Sequence, residues 1–173
     1  MKFFSGFSLQ NEEAFFTPFL KRSDMCISGF SYGAIKAYRE TLQQLASGKR
    51  VDTLQLFSPA FFQTKSEKFK RLQMLSYVKD KEAYLKNFID ACFSPYRMRD
   101  ITVQETTKEE LNELLTYEWE QKSLEYIVNK GVTIEVYLGG EDKIIDVNAA
   151  RKFFINVATV TYIKEANHFL LSE

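Results

Sequence analysis

The stretch ISGFSYGA, residues 27–34, sets two glycines around a serine as Gly29-x-Ser31-x-Gly33, in a chain with only seven glycines. An apolar run precedes it. A helical pattern follows, with Ala34, Ile35, Tyr38, Leu42 and Leu45 recurring at helical spacing until Gly48 stops them. A strand that turns sharply into a helix at a serine holds the hydroxyl out toward a substrate, the geometry of a nucleophile elbow. The plain alternative is a tight turn without chemistry. What else the chain offers a serine decides between them.

A serine hydroxyl is a weak nucleophile and needs a base with a pKa near neutrality, usually histidine. The chain has one, His168, in KEANHFLL. The imidazole in turn needs a carboxylate to fix its tautomer and to stabilise the charge it gains. The segment YLGGEDKIID offers Asp142 in a Gly-x-x-Asp turn, with Glu141 and Asp146 as nearby competitors. A lone histidine can also be a core residue, and an Asp after paired glycines can be turn chemistry. The order Ser31…Asp142…His168 favours catalysis, because each residue lies just past a predicted strand. A parallel sheet gathers such positions at its carboxyl edge.

Short β-branched or apolar runs predict strands at 2–5, 24–28, 52–57, 132–138 and 159–164, and a further helix covers 147–157. Strands alternating with helices predict an α/β fold, with a parallel sheet of about five or six strands and helices on both faces. From 65 to 129 the alternation stops. No strand is predicted there, and three helical runs are: SEKFKRLQMLSYV, DKEAYLKNFIDACF and TKEELNELLTYEWEQKSLEYIVNKG. Thr107 and Glu110 have capping-box spacing in the third, and Gly131 supplies its stop. The organisation is therefore a core of 1–64 and 130–173 with a helical insertion at 65–129, a common origin of active-site lids.

Composition narrows the function class. Net charge is zero, so no global field draws the chain to nucleic acid or to a membrane. The charge is nonetheless uneven: residues 65–99 hold nine Lys/Arg against four Asp/Glu, and residues 100–125 hold two against eight. Sixteen Phe and nine Tyr suit a roomy apolar interior or pocket. Ser5, Gln10, Asn11, Glu12 and Glu13 interrupt the N-terminal apolar region too early for a signal peptide, so a cytoplasmic protein is expected. Cys26 and Cys92 lack metal-ligand spacing and read as buried core residues. With one histidine, no metal site or other cofactor is expected.

The segments DMCISGFSYGA, YLGGEDKIID and IKEANHF together resemble the α/β-hydrolase family, over most of the chain and without its usual N-terminal strands. The resemblance implies an oxyanion hole made by the backbone N–H of Tyr32, after the nucleophile, and of Phe7 in FFSGFSL. Ser5-Gly6 stands there where the family usually has His-Gly. GFSYGA, LFSPAFF and the helical insertion further resemble the short, BioV-type group of esterases that complete pimeloyl synthesis for biotin.

That resemblance implies hydrolysis of the methyl ester of pimeloyl-[acyl-carrier protein]. Phe57, Phe61 and Phe62 would line the acyl channel beside Phe7 and Tyr32. Lys65, Lys68, Lys70, Arg71, Arg97 and Arg99 would meet the acidic carrier protein. The alternatives are a carboxylesterase or thioesterase for other small acyl esters, and a non-catalytic module that keeps the hydrolase shape.

Overall fold

Strands β1 (Lys2–Phe4), β3 (Cys26–Phe30), β4 (Thr53–Phe57), β6 (Thr133–Gly139) and β7 (Thr159–Ile163) lie side by side in that order, all parallel. They form the main sheet of the computed structural model, which describes residues 1–173. Between them run α1 (Tyr32–Ala46), α2 (Glu67–Lys79), α3 (Lys81–Phe93), α4 (Lys108–Thr116), α5 (Gln121–Asn129) and α6 (Val147–Phe154). The five predicted strands and the helix after Ser31 are all present. The sixth strand allowed for is not in this sheet.

Strands laid down in sequence order with right-handed crossovers send their connecting helices to the same face. The residues of α1, α5 and α6 accordingly share one apolar core with Ile27, Leu54, Leu56, Ile134 and Val136. A second core joins Ile89, Cys92 and Phe93 of α3 to Phe16, Phe30 and Phe57, so helices contribute to the cores of both faces. The opposite face is covered by a 3₁₀ helix (Glu12–Phe16), whose Phe16 stacks on Phe57, and by the segment 17–25. Fully buried Gln55 fastens that segment. Its Oε1 accepts from the Lys21 N–H at 3.0 Å, and its Nε2 donates to the Phe19 carbonyl at 2.9 Å.

The insertion departs from its sequence reading in two ways. Strand β5 (Thr102–Val103) pairs antiparallel with β2 (Leu9–Gln10), although no strand is predicted between 65 and 129. Two residues are too few for a periodic signal. The third helical run is broken at Tyr117–Glu120 into α4 and α5. There Trp119 turns inward, its indole N–H donating to the Ala60 carbonyl at 2.8 Å and its backbone N–H to Gln63 Oε1 at 2.7 Å. Tertiary packing overrides helix propensity at that point. The Thr107–Glu110 capping box forms as predicted. No helix is long and apolar enough to cross a membrane.

Candidate active site

Ser31 sits between β3 and α1 with φ 53° and ψ −114°, a backbone state that L residues rarely adopt and that costs energy wherever it occurs. Three backbone hydrogen bonds hold it. Ser31 N–H donates to the Phe57 carbonyl at 2.9 Å, and the Ser31 carbonyl accepts from Ala34 and Ala60, both at 3.1 Å. The paired glycines of the opening motif are close-approach residues. A Cβ at Gly29 would lie 2.2 Å from the Gly33 carbonyl oxygen, and one at Gly33 would lie 2.0 Å from that of Phe4. The turn therefore has the strained, closely packed geometry of an elbow.

His168 follows β7 and is fully buried. Its Nε2 lies 3.1 Å from Ser31 Oγ, and its Nδ1 lies 2.6 Å from Asp142 Oδ2. With Nδ1 protonated, the ring donates to Asp142 and can accept the serine proton at Nε2. The second oxygen of Asp142 accepts from the N–H groups of Ile144 at 2.7 Å and Ile145 at 3.2 Å. Gly139 and Gly140 let the acid turn touch the histidine loop backbone to backbone. A Cβ at Gly139 would come within 2.4 Å of the Ala166 carbonyl, and one at Gly140 within 2.2 Å of that of Lys164.

The competing carboxylates do other work. Glu141 is partnered by Lys143 near the surface. Asp146 caps α6 by accepting from the Ala149 N–H at 3.1 Å, and it also accepts from Thr64. That backbone bond holds its carboxyl below the ordinary range.

Two positioning residues escaped the sequence reading. Ser58 Oγ donates to the His168 carbonyl at 2.8 Å. Fully buried Asn167 accepts from Phe169 and Leu171 N–H and donates to the Phe93 carbonyl, closing the histidine loop on itself and on α3. Both follow from tertiary contacts and leave no local signature.

Phe7 and Tyr32 are positioned differently from one another. Phe7 is buried in the turn that follows β1, and its backbone N–H has no acceptor within the protein. Tyr32 opens α1, where the first amides lack helical acceptors. The Tyr32 side chain points away to donate to Glu113 Oε2 of α4 at 2.5 Å, and Arg39 binds the other oxygen. Burial and this bond push the phenol above its usual range. For Glu113, burial alone would raise the carboxyl, but these two donors outweigh it and hold the group low.

Near Phe7 lies Glu12, fully buried, with Oε1 2.7 Å from the Gly6 N–H and Oε2 without a partner. Burial pushes its carboxyl pKa up from 4.5.

A cavity of about 250 Å³ lies under α2, α3 and α4; it meets the site through Phe7 and Ile144, and Ser31, Asp142, His168 and Glu12 are not among its lining. Phe7 and Phe62 line it with Phe69, Phe88, Leu111 and Ile144. Phe57 and Phe61 do not, which corrects their assignment. Phe57 faces the opposite side of the sheet between Phe16 and Tyr137, and Phe61 packs on Phe153 and Phe154. Tyr32 also lies outside the lining. Among the expected basic contacts, Lys68, Arg71, Arg97 and Arg99 are exposed and Lys65 is half-buried, whereas Lys70 is buried on the inner side of α2 near Glu67. Lys70 shares the helical face of Met74 and Tyr77, which removes it from the outer surface.

Comparison with solved structures identifies the fold. Carboxylesterase CesB (YbfK) from Bacillus subtilis superposes with a TM-score of 0.58 at 14% identity, over 94% of this chain and 59% of that one. Naproxen esterase (carboxylesterase NP) from Bacillus subtilis gives 0.53 at 15%, over 84% and 53%. BioG from Haemophilus influenzae gives 0.56 at 10%, over 97% and 87%. The fold is that of the α/β-hydrolases. The chain spans only between half and two thirds of the two carboxylesterases, but most of BioG. Neither protein-family models nor curated proteins match the sequence. Within the α/β-hydrolase frame, Ser31 stands at the elbow, Asp142 after β6 and His168 after β7, at the carboxyl ends of the strands where such sheets carry their sites.

Proposed function

We propose that this protein is a serine carboxylesterase that hydrolyses the methyl ester of pimeloyl-[acyl-carrier protein], in the cytoplasm, to give pimeloyl-[acyl-carrier protein] and methanol. The observation that carries the esterase reading is the buried row Ser31–His168–Asp142, at 3.1 and 2.6 Å. The named substrate is supported by the resemblance of GFSYGA, LFSPAFF and the helical insertion to the BioV-type esterases. The match to BioG in size, and an apolar cavity that shares Phe7 and Ile144 with the site, agree with it.

In this reading His168 Nε2 takes the Ser31 proton as Oγ attacks the ester carbonyl. The oxyanion meets the N–H groups of Phe7 and Tyr32, each worth about 3 kcal/mol of barrier. Asp142 stabilises the imidazolium, and its own orientation is fixed by the amides of Ile144 and Ile145. Collapse of the tetrahedral intermediate breaks the bond to methoxide, which leaves as methanol with the proton from His168. Water, deprotonated by the same nitrogen, then attacks the acyl-Ser31 ester and frees the carboxylate. The acyl chain occupies the cavity under residues 65–129, which act as a lid. Lys65, Lys68, Arg71, Arg97 and Arg99 attract the acidic carrier protein, so turnover of carrier-bound substrate weakens with added salt.

Mass spectrometry of methyl pimeloyl-carrier protein incubated with the enzyme tests this. Loss of the methyl group with the thioester retained is the expected result. Release of free carrier protein identifies a thioesterase instead. Equal activity of the parent and Ser31→Ala on a p-nitrophenyl ester removes the catalytic reading altogether.

A further inference from the structure

Helix α2 is apolar on two sides. Its inner face supplies Phe69 and Gln73 to the cavity and buries Lys70 and Tyr77. Its outer face carries three of the most exposed large hydrophobic residues of the molecule: Leu72 at 51%, Leu75 at 59% and Val78 at 67%. At about 100° per residue, Val78, Arg71, Leu75, Lys68, Lys79 and Leu72 follow one another around an arc of roughly 120°. Apolar and basic side chains therefore alternate across one continuous surface. Lys68, Arg71 and Lys79 are all exposed, and none forms an ion pair within the protein. Core packing does not use this face, and a merely solvated face would not need three exposed aliphatic side chains.

We propose that the outer face of α2 is a docking seam for an acidic, amphipathic helix of the carrier protein, with Leu72, Leu75 and Val78 as its apolar contacts. The proposal rests on the carrier-protein reading above and adds the surface through which the partner is held. Charge complementarity selects the occupant. Residues 65–99 have nine basic side chains against four acidic ones, so an acidic partner is attracted. Two copies of this face brought together would oppose like charges. Location agrees: a partner seated there is one helix diameter, about 10 Å, from the cavity that takes the acyl chain. Three aliphatic side chains make a small contact, suited to an encounter that releases product after each turnover.

The test is binding of the holo carrier protein, bearing its free pantetheine arm and no acyl group, followed by heteronuclear NMR titration. Leu75→Asp weakens that binding about tenfold or more, the scale of losing a central interface anchor. Its turnover of a p-nitrophenyl ester and its circular dichroism stay at parental values. Leu72→Asp gives the same result from the neighbouring position and guards against one variant folding poorly. Unchanged affinity in both folded variants overturns the seam, whatever the esterase activity. Leu75-dependent binding with no turnover of methyl pimeloyl-carrier protein keeps the seam and rejects only the substrate. A parental dimer in sedimentation that Leu75→Asp dissociates, or Leu75-dependent binding to phosphatidylglycerol vesicles, overturns the carrier assignment for a second copy or a membrane surface.

Discussion

The hydroxyl of Ser58 donates to the carbonyl oxygen of His168 across 2.8 Å, joining the end of β4 to the loop that carries the base. Ser58 is fully buried, so water cannot take the place of this donor. Removing one partner of a buried hydrogen bond costs about 1–3 kcal/mol. Ser58→Ala is therefore expected to lower kcat on a p-nitrophenyl ester about tenfold, with KM little changed and near-native circular dichroism. An unaltered kcat would separate this bond from the positioning of His168.

The two nearby aspartates should divide cleanly. Asp142→Asn keeps the oxygen that accepts from Ile144 and Ile145 but leaves His168 in the wrong tautomer. A fall in kcat of roughly 10⁴-fold is expected, with little change in thermal midpoint. Asp146→Ala removes the cap of α6 and costs about 1 kcal/mol of stability, with activity retained at moderate temperature. Steady-state kinetics beside thermal melts of the two variants read this contrast directly.

Glu12 makes stability depend on pH in a defined direction. Its folded-state pKa is raised by burial, so the folded protein holds the proton more tightly than the unfolded chain. The protonated carboxyl's advantage is fully present below 4.5, the ordinary value, and is lost as pH rises through the raised folded value. Glu12→Gln keeps an acceptor for the Gly6 N–H but cannot ionise. Its thermal midpoint relative to the parent should be lowest in acid and should climb as pH increases across that window. A difference independent of pH would mean that the folded and unfolded states bind the Glu12 proton equally, and would refute the raised folded-state value.

Phe57 and Phe62 differ in the sequence only by five positions but serve separate roles. Phe57→Ala removes a fully buried ring between Phe16 and Tyr137 and should cost about 3–5 kcal/mol. Phe62→Ala enlarges the cavity and should shift the preferred acyl length of p-nitrophenyl esters upward. Rates across a chain-length series, measured beside denaturant melts, distinguish the two.

Residues 27–34 made the elbow legible because its glycines, serine and flanking periodicities are local. Asp142 and His168 were readable because each follows a strand whose apolar run stands out. The sequence favours Asp142 over Glu141 and Asp146 but leaves both open, since all three are turn residues and tertiary distance is what separates them. Phe57 was misassigned although strand alternation carried the answer: Leu54 and Leu56 occupy the face covered by α1, α5 and α6, so Phe57 takes the other. Lys70 could likewise have been excluded by its helical spacing to Met74 and Tyr77. The β2–β5 pairing and the break at Trp119 had no local signal, because partners distant in sequence impose both.

Backbone contact between Gly139–Gly140 and the Lys164–Ala166 segment fastens the base's loop to the last two strands of the sheet. The outer of these, β7, has a free edge and leaves Thr159, Thr161 and Tyr162 in solvent. Fraying of that border would carry the imidazole away from the serine while the main core stayed intact. Inactivation would then come at lower urea than the loss of Trp119 fluorescence. The molecule would fail as a catalyst before it failed as a fold.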